Sequence, residues 1–345
     1  MNIREYSLDE LKFKLQELNE KPFRAKQIYE WLHKHMIASL ENASNLGKDL
    51  KLKLNNSFDV SFPSIEEEYI SKLDDTKKYL IRLNDGYIIE SVLMKYKYGY
   101  TVCVSSEVGC NMGCKFCAST VDGMKRNLYS YEMLAQVYLI AKHNNIRISN
   151  IVIMGMGEPL LNFDNVIKFL KIINDENGQN ISLRNITIST CGIVENIHKL
   201  ALSNLPITLA LSLHAPNDEI RKRIMPVANK YTLADVMNVM AEYFEMTNRK
   251  ITCEYTLIDG VNSSIDNAKE LSQLLDRYFT KRHIEYNINL IAINEIKERN
   301  FKAPSKIKIE TFKNYLLDCG VQVMVRRELG KDISGSCGQL RMSVK

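Results

Sequence analysis

No apolar run in this 345-residue sequence approaches the length of about 20 residues that a membrane-spanning helix requires, so no membrane association is expected. The opening Met1-Asn-Ile-Arg-Glu-Tyr6 is broken at once by charge and polarity, which argues against a signal peptide. There is no internal repeat, no low-complexity stretch and no obvious linker. Cysteine is not scarce, with eight in the chain, but no second pair follows at zinc-finger spacing. Thiols clustered in this way point to metal or redox chemistry in a reducing compartment, and a cytoplasmic location is expected. With 45% hydrophobic and 25% charged residues, the composition is that of an ordinary soluble protein. The length allows one large α/β domain with a smaller appendage.

Net charge is +5, and it is unevenly spread. Residues 1–60 carry ten Lys/Arg against nine Asp/Glu, whereas residues 281–345 carry thirteen against seven. That C-terminal surplus, with Lys125-Arg126, suits a polyanionic partner, although a solvated surface explains charge balance equally well. The first sixty residues read as helices. Ser7-Leu-Asp-Glu10 is a capping box opening a segment to about Leu18. A second segment begins near Pro22 with Ile28, Trp31 and Leu32 at helical spacing, and a third covers roughly Leu46 to Leu54. Such a module can bind RNA or simply cap the main domain.

Beyond it the period changes. Ile65–Leu73, Lys78–Leu83 and Tyr87–Met94 read as strands, with Asp85-Gly86 a hairpin signal. From Tyr100–Val104 onward strands and helices alternate, with strands at Ile148–Met154, Asn185–Ser189, Pro206–Leu213, Ile251–Leu257, Ile284–Ile291 and Val321–Val325. Alternation of this kind predicts a parallel sheet with right-handed crossovers, here a partial (β/α)6 TIM-like barrel. The expected organisation is a helical module over 1–62, a short β extension over 63–98 and the barrel over 99–345. Ligand groups gather at the carboxyl ends of barrel strands. The notable polar residues fall at such ends: Met154-Gly-Met-Gly157-Glu158-Pro159, Ser189-Thr-Cys-Gly192, Ser212-Leu213-His214 and Asn294.

Just after the first barrel strand stands Cys103-Val-Ser-Ser-Glu-Val-Gly-Cys110-Asn-Met-Gly-Cys114-Lys-Phe-Cys117. Cys110, Cys114 and Cys117 are spaced CxxxCxxC on a glycine-bearing loop. A tetrahedral zinc site or an ordinary cubane takes four protein ligands. Three thiolates on a cubane leave one iron open to a small molecule, though such a triplet can also bind zinc. Gly155 and Gly157 would let backbone approach a ligand, and Glu158 could accept hydrogen bonds from an ammonium or ribose group. Ser189, Ser212 and His214 could bind carboxylate and sugar, or serve as ordinary caps and core polar groups. Cys191, Cys253 and Cys319 read as buried small hydrophobes. Cys337, in the small-residue stretch Ile333-Ser-Gly-Ser-Cys337-Gly-Gln-Leu340, could fold a thiol over the barrel mouth.

The CxxxCxxC triplet resembles the signature of radical S-adenosylmethionine (SAM) enzymes, and Gly157-Glu158 resembles the motif that meets the SAM amino group. Over nearly its whole length the chain resembles the RlmN-type dual-specificity adenine C2-methyltransferases. The resemblance runs through Lys21-Pro-Phe-Arg-Ala-Lys-Gln27 with Trp31, Met154–Asn162, His214-Ala-Pro-Asn217 and Cys337-Gly-Gln-Leu340. It implies a 4Fe–4S cluster on Cys110, Cys114 and Cys117. It also implies two SAM molecules per turnover, contacted by Gly157, Glu158, Ser189, Ser212, Leu213, His214 and Asn294. Cys337 is then the methyl carrier, Glu90 the proton acceptor and Cys103 the resolving thiol that forms a disulfide with Cys337. The substrates implied are 23S rRNA and tRNA, with a flavodoxin or ferredoxin as reductant, and the enzyme is expected to be a monomer. Cfr-type C8-methyltransferases are the nearest alternative, but they tend to have alanine at the position of Pro159 and lack Leu160-Leu161-Asn162. A radical SAM activase or isomerase would have no need of Cys337, and a non-catalytic iron–sulfur RNA-binding protein would need a fourth ligand. Ser334-Gly335-Ser336 and Glu295 depart from the family pattern, the latter where a proline commonly follows the asparagine.

Overall fold

The computed structural model describes residues 1–341. Helix α1 (Leu8–Glu17) opens on the expected capping box, with Ser7 Oγ accepting from the Glu10 N–H and the Glu10 carboxylate accepting from the Ser7 N–H at 2.7 Å. Helix α2 (Phe23–Tyr29) follows Pro22 and runs on as a π turn over Glu30–Lys34. Helix α3 (Lys48–Ser57) starts two residues later than expected, because Gly47 takes the N-cap. Ile3, Leu11, Leu15, Ile28, Leu32, Leu50 and Leu54 give these helices a hydrophobic cluster of their own. The module docks through polar contacts as well. His33 Nδ1 lies 3.0 Å from the Tyr138 hydroxyl, and Gln179 Nε2 donates to the His33 carbonyl at 2.7 Å.

Four strands then form an antiparallel meander: β1 (Ser64–Ile70), β2 (Lys77–Arg82), β3 (Ile88–Tyr96) and β4 (Gly99–Cys103). β1 stops short of the expected Leu73 because Ser71 Oγ accepts from the N–H groups of Leu73 and Asp74, turning the chain. After a two-stranded ribbon, β5 (Glu107–Val108) with β6 (Arg126–Asn127), the strand–helix alternation begins. No period marks that ribbon, since two-residue strands have none. The run is α4 (Ser130–Asn144), β7 (Ile148–Ile153), α5 (Phe163–Asn174), β8 (Ile186–Thr190), α6 (Val194–Leu202) and β9 (Thr208–Ser212). It continues through α7 (Asp218–Ile224), α8 (Leu233–Thr247), β10 (Ile251–Leu257), α9 (Ile265–Tyr278), β11 (Tyr286–Ala292), α10 (Lys306–Asp318) and β12 (Val323–Val325).

All ten strands outside the ribbon belong to one sheet, in the order β1-β2-β3-β4-β7-β8-β9-β10-β11-β12. Every neighbouring pair from β4 to β12 is parallel. Six strand–helix units therefore run from β4 to α10, as the alternation predicts, and β12 adds one short parallel strand. Buried aliphatic and aromatic side chains, such as Ile151, Ile186, Leu209 and Ile288 against Phe169 and Leu170, fill one continuous core between sheet and helices. At roughly 1.5–3 kcal/mol per buried side chain, that core fixes the strand ends on which the polar residues stand.

Candidate active site

A cavity opens at the carboxyl ends of the parallel strands, where ligand groups are expected in this architecture. Cys110, Cys114, Cys117, Gly157, Glu158, Ser189, Ser212, His214, Asn294 and Cys337 all line it. It extends over about 940 Å³ of non-protein space, part of it open to solvent. Leu213 is not on the wall. Its side chain is fully buried, and its carbonyl accepts from the Arg221 guanidinium at 3.2 Å. A second cavity adjoins the first and is lined by Val92, Met94, Tyr96, Cys103, Leu329 and Leu340. Met154, Ile291, Asn294, Arg326 and Cys337 line both. Cys103 and Cys337 thus meet in the second cavity, not in one undivided space with the ligand triplet.

The loop bearing the triplet is pinned by its backbone. The Lys115 N–H donates to the Ile224 carbonyl at 2.8 Å, and Thr120 Oγ1 donates to the carbonyls of Cys114 and Cys117. Burial, reinforced by the neighbouring thiols, pushes Cys110 up to about 12 and Cys114 well above the ordinary thiol range. Bare thiols so placed stay protonated until a cation binds them. Three such thiols on the wall of one cavity, with open space beside them, fit a cubane held by three cysteines with one iron left to a ligand.

Glu158 lies beside this loop with its oxygens fixed: Oε1 accepts from the Leu160 N–H at 3.1 Å and Oε2 from the Cys191 N–H at 2.7 Å. Burial raises its carboxyl above the ordinary range, an effect these donors oppose. The glycines ahead of it line the cavity and also answer a second need. A Cβ at Gly157, where φ is +105°, would stand 2.6 Å from the Glu107 Cβ, and one at Gly155 would stand 2.6 Å from Ser105 Oγ. They clear the chain's own Ser105–Glu107 segment, which passes directly beneath the turn. Asn162 ties the two together through bonds to the carbonyls of Ser106 and Leu128.

His214 is buried with φ at +55°, a conformation that costs a non-glycine residue energy and marks sites held by their surroundings. Its Nδ1 accepts from the Thr256 N–H at 2.9 Å, so a neutral ring carries its proton on Nε2. Burial pushes this imidazole down to about 3 and keeps it neutral. Ser189 and Ser212 face each other, Oγ to Oγ, at 3.2 Å. Asn294 Nδ2 donates to the Cys337 carbonyl at 3.0 Å, while its buried Oδ1 has no protein partner. An unpartnered acceptor on the wall of a cavity suits a ligand that donates.

Cys337 sits on a strap without regular structure, tied to the cluster loop. The Ala118 N–H donates to the Gly338 carbonyl at 2.7 Å and Ser119 Oγ to the Leu340 carbonyl at 2.6 Å. The Arg341 guanidinium clasps Asp122 and Glu298. Glu90 lines neither cavity: the Arg341 N–H lies over it, donating to Oε2 at 3.1 Å. Burial raises its carboxyl, opposed by Lys78. Cys103 ends β4 opposite Val92, on the face of the sheet that carries Glu90, and burial pushes its thiol up to about 12.

Three basic residues at the site escaped the sequence reading: Arg221, Arg326 and Lys78. Arg221 is fully buried and bonds the carbonyls of Cys191, Ser212 and Leu213. Arg326 faces Glu254 at 3.7 Å, and its guanidinium is held above its ordinary range, Cys337 being the largest influence. Cys319, expected to be buried, is exposed, since it caps the end of α10.

Residues 104–275 match the family model described as the radical SAM superfamily, and residues 1–60 match that of the ribosomal RNA large subunit methyltransferase N-terminal domain. A probable dual-specificity RNA methyltransferase RlmN of Clostridium novyi is 51% identical over 99% of this chain and 97% of its own length. That of Lachnoclostridium phytofermentans is also 51% identical, over 99% and 95%. The chain belongs to the RlmN family. A crystal structure of a radical SAM methyltransferase from Sphaerobacter thermophilus superposes with a TM-score of 0.93 at 37% identity, covering 99% of both chains. As a member, the chain is a radical SAM RNA methyltransferase, an enzyme class that works with a 4Fe–4S cluster and SAM. No helix among the described residues is long and apolar enough to cross a membrane.

Proposed function

We propose that this enzyme methylates C2 of adenine in 23S rRNA and in tRNA, with Cys337 as the temporary carrier of the carbon. The observation that carries this reading is the place of Cys337 on the wall shared by two cavities. One holds the ligand triplet and Glu158, and the other holds Cys103. Adenine C2 lies between two ring nitrogens and has no lone pair with which to attack a methyl cation donor, so polar transfer straight from SAM is closed to it.

Cys110, Cys114 and Cys117 would hold the cluster. Glu158, Ser189, Ser212, His214 and Asn294 would hold SAM, with Glu158 toward the ammonium and the His214 Nε2–H as a donor. When bound, these groups supply the one-electron chemistry, a 5′-deoxyadenosyl radical and an acceptor for the single electron that leaves when the modified ring regains aromaticity. The Cys337 thiolate first takes a methyl group from one SAM by nucleophilic substitution, leaving S-adenosylhomocysteine. After a hydrogen atom is lost from that S-methyl group, the methylene on Cys337 adds to C2 and joins RNA to protein. Glu90 takes the C2 proton. Cys103 then attacks the Cys337 sulfur, and the disulfide that forms expels the methylene carbon, which is protonated to a methyl group. Two electrons from a reductant of the flavodoxin or ferredoxin class, or from a thiol, restore the pair.

The module over residues 1–62, next to the β extension over 63–98, would contact the RNA, and the base would be extruded into the mouth of the 99–345 barrel. A cytoplasmic enzyme acting as a monomer fits this reading. The test is mass spectrometry of unmodified rRNA after anaerobic incubation with reconstituted enzyme, SAM and dithionite. 2-Methyladenosine supports the proposal, 8-methyladenosine moves the enzyme to Cfr-type chemistry, and 5′-deoxyadenosine without RNA product points to a small-molecule substrate.

A further inference from the structure

Glu90 is the third residue of β3, and Lys78 lies diagonally across from it on β2, where it pairs with Val92. Lys78 Nζ stands 3.3 Å from Glu90 Oε1. Both side chains are nearly sealed, 10% and 6% exposed. A buried ammonium is costly unless paired, and this one has the carboxylate on one side and the Tyr69 ring, 5.1 Å away, on the other. The remaining charged group near Glu90 is Arg341, whose guanidinium is spent on Asp122 and Glu298 and whose N–H alone reaches Glu90. We propose that Lys78 is a positioning residue that holds Glu90 ionised and aimed, ready to accept the C2 proton of the RNA–protein adduct.

This rests on the reading of Glu90 as the base. Burial alone favours the protonated carboxyl, which cannot accept a proton, and the ammonium opposes that preference. In the step served, the C2–H bond breaks and its proton goes to Glu90. Its electron pair returns to the ring, and the cluster that Cys110, Cys114 and Cys117 would hold would supply the acceptor for the one surplus electron. Glu90 is also joined to the sulfur carrier, because Arg341 lies only four residues beyond Cys337 on the strap. Removing the charge of Lys78 should therefore slow proton removal and leave the earlier steps alone.

The experiment compares Lys78→Met and Lys78→Arg with wild type in the full, cluster-loaded chain. It measures the pH profile of single-turnover methyladenosine formation, together with S-methylation of Cys337 and 5′-deoxyadenosine yield. For Lys78→Met, the acid limb should move up by at least one pH unit, slowing product about ten-fold at a pH on that limb and recovering at higher pH. S-methylation and 5′-deoxyadenosine should stay within about two-fold, as expected if fold and SAM site are intact. Lys78→Arg should keep the wild-type limb. An unmoved limb in Lys78→Met overturns the inference, as does an equal shift in Lys78→Arg. Should Lys78→Met fail to fold, Lys78→Gln takes its place under the same criteria. Glu90→Gln separates the two levels. If it forms product normally, the reading of Glu90 itself fails. If it loses product while Lys78→Met titrates like wild type, only the role of Lys78 fails.

Discussion

The two cavities that meet at Cys337 differ in what they offer a guest. The first presents three ligand thiols, a fixed carboxylate, two facing hydroxyls, an imidazole donor and the unpartnered oxygen of Asn294. The second presents Cys103 and its face of Cys337 among Val92, Met94, Tyr96, Leu329 and Leu340, with Arg326, Arg327 and Glu328 also on its wall. The sulfurs are held differently too. Cys103 ends a strand and the triplet sits on a pinned loop, whereas Cys337 rides on a strap tied down through Asn294, Ser119 and Arg341. A sulfur that must meet SAM on one side and a resolving thiol on the other belongs on a boundary. The first cavity is built to bind, whereas burial at the second keeps the Cys103 thiol protonated until needed.

Removing the boundary sulfur should do the most damage. Cys337→Ala should abolish RNA methylation, with loss of more than about four orders of magnitude, because no other group can carry the carbon. Cys103→Ala should leave Cys337 methylated and 5′-deoxyadenosine forming, but trap RNA covalently on protein. A denaturing gel would show the shifted band, and turnover should fall by at least about 100-fold. A Cys103→Ala enzyme that turned over normally would erase the distinction between the cavities. A smaller effect is expected from Glu158→Gln. The amide would lose charge against an ammonium and turn an NH2 toward the N–H of either Leu160 or Cys191. SAM affinity should fall about 10–100-fold in equilibrium binding, corresponding to roughly 1.5–3 kcal/mol, with Cys103 reactivity unchanged.

How much of this could be read beforehand depended on whether the chemistry was local in sequence. Cys110, Cys114 and Cys117 lie within one turn-rich loop, so their spacing made the triplet legible and the resemblance it carries implied the cluster, while strand–helix alternation carried the parallel sheet. Groups assembled by topology stayed hidden. Lys78 read as one more residue of an alternating strand. Arg326 belonged to a C-terminal surplus of positive charge that suggested an outer surface, yet its side chain is 24% exposed and faces Glu254. Gly155 and Gly157 were visible as a need for close approach, but only the folded path of the chain shows that Ser105–Glu107 passes within contact of them. That Glu90 lies under the strap likewise depends on contacts spanning some 250 residues, beyond the reach of any spacing rule.

The smallest expected effect uses pH to set the first cavity against a site far from it. His214 on the cavity wall and His33 at the docked helical module are both pushed by burial down to about 3. Each is neutral when folded, whereas in the unfolded chain it titrates near 6.5. The unfolded state therefore binds more protons below that value, and stability falls as pH drops from about 6.5 toward 3. Each histidine should contribute about 1.4 kcal/mol per pH unit, readable as a shift in urea midpoint between pH 7 and 5. Buried carboxyls such as Glu107, pushed up to about 7, act with the opposite sign, so the test is the change in slope on removing each ring. His33→Gln should lower the slope by about 1.4 kcal/mol per pH unit while SAM binding at pH 7.5 stays intact, and His214→Gln should lower it by the same amount and weaken SAM binding as well. If His214→Gln left the slope unchanged, the imidazole on the cavity wall would be titrating normally. The ring would then take a second proton on Nδ1 below about pH 6.5, breaking the bond from the Thr256 N–H that fixes the donor at Nε2.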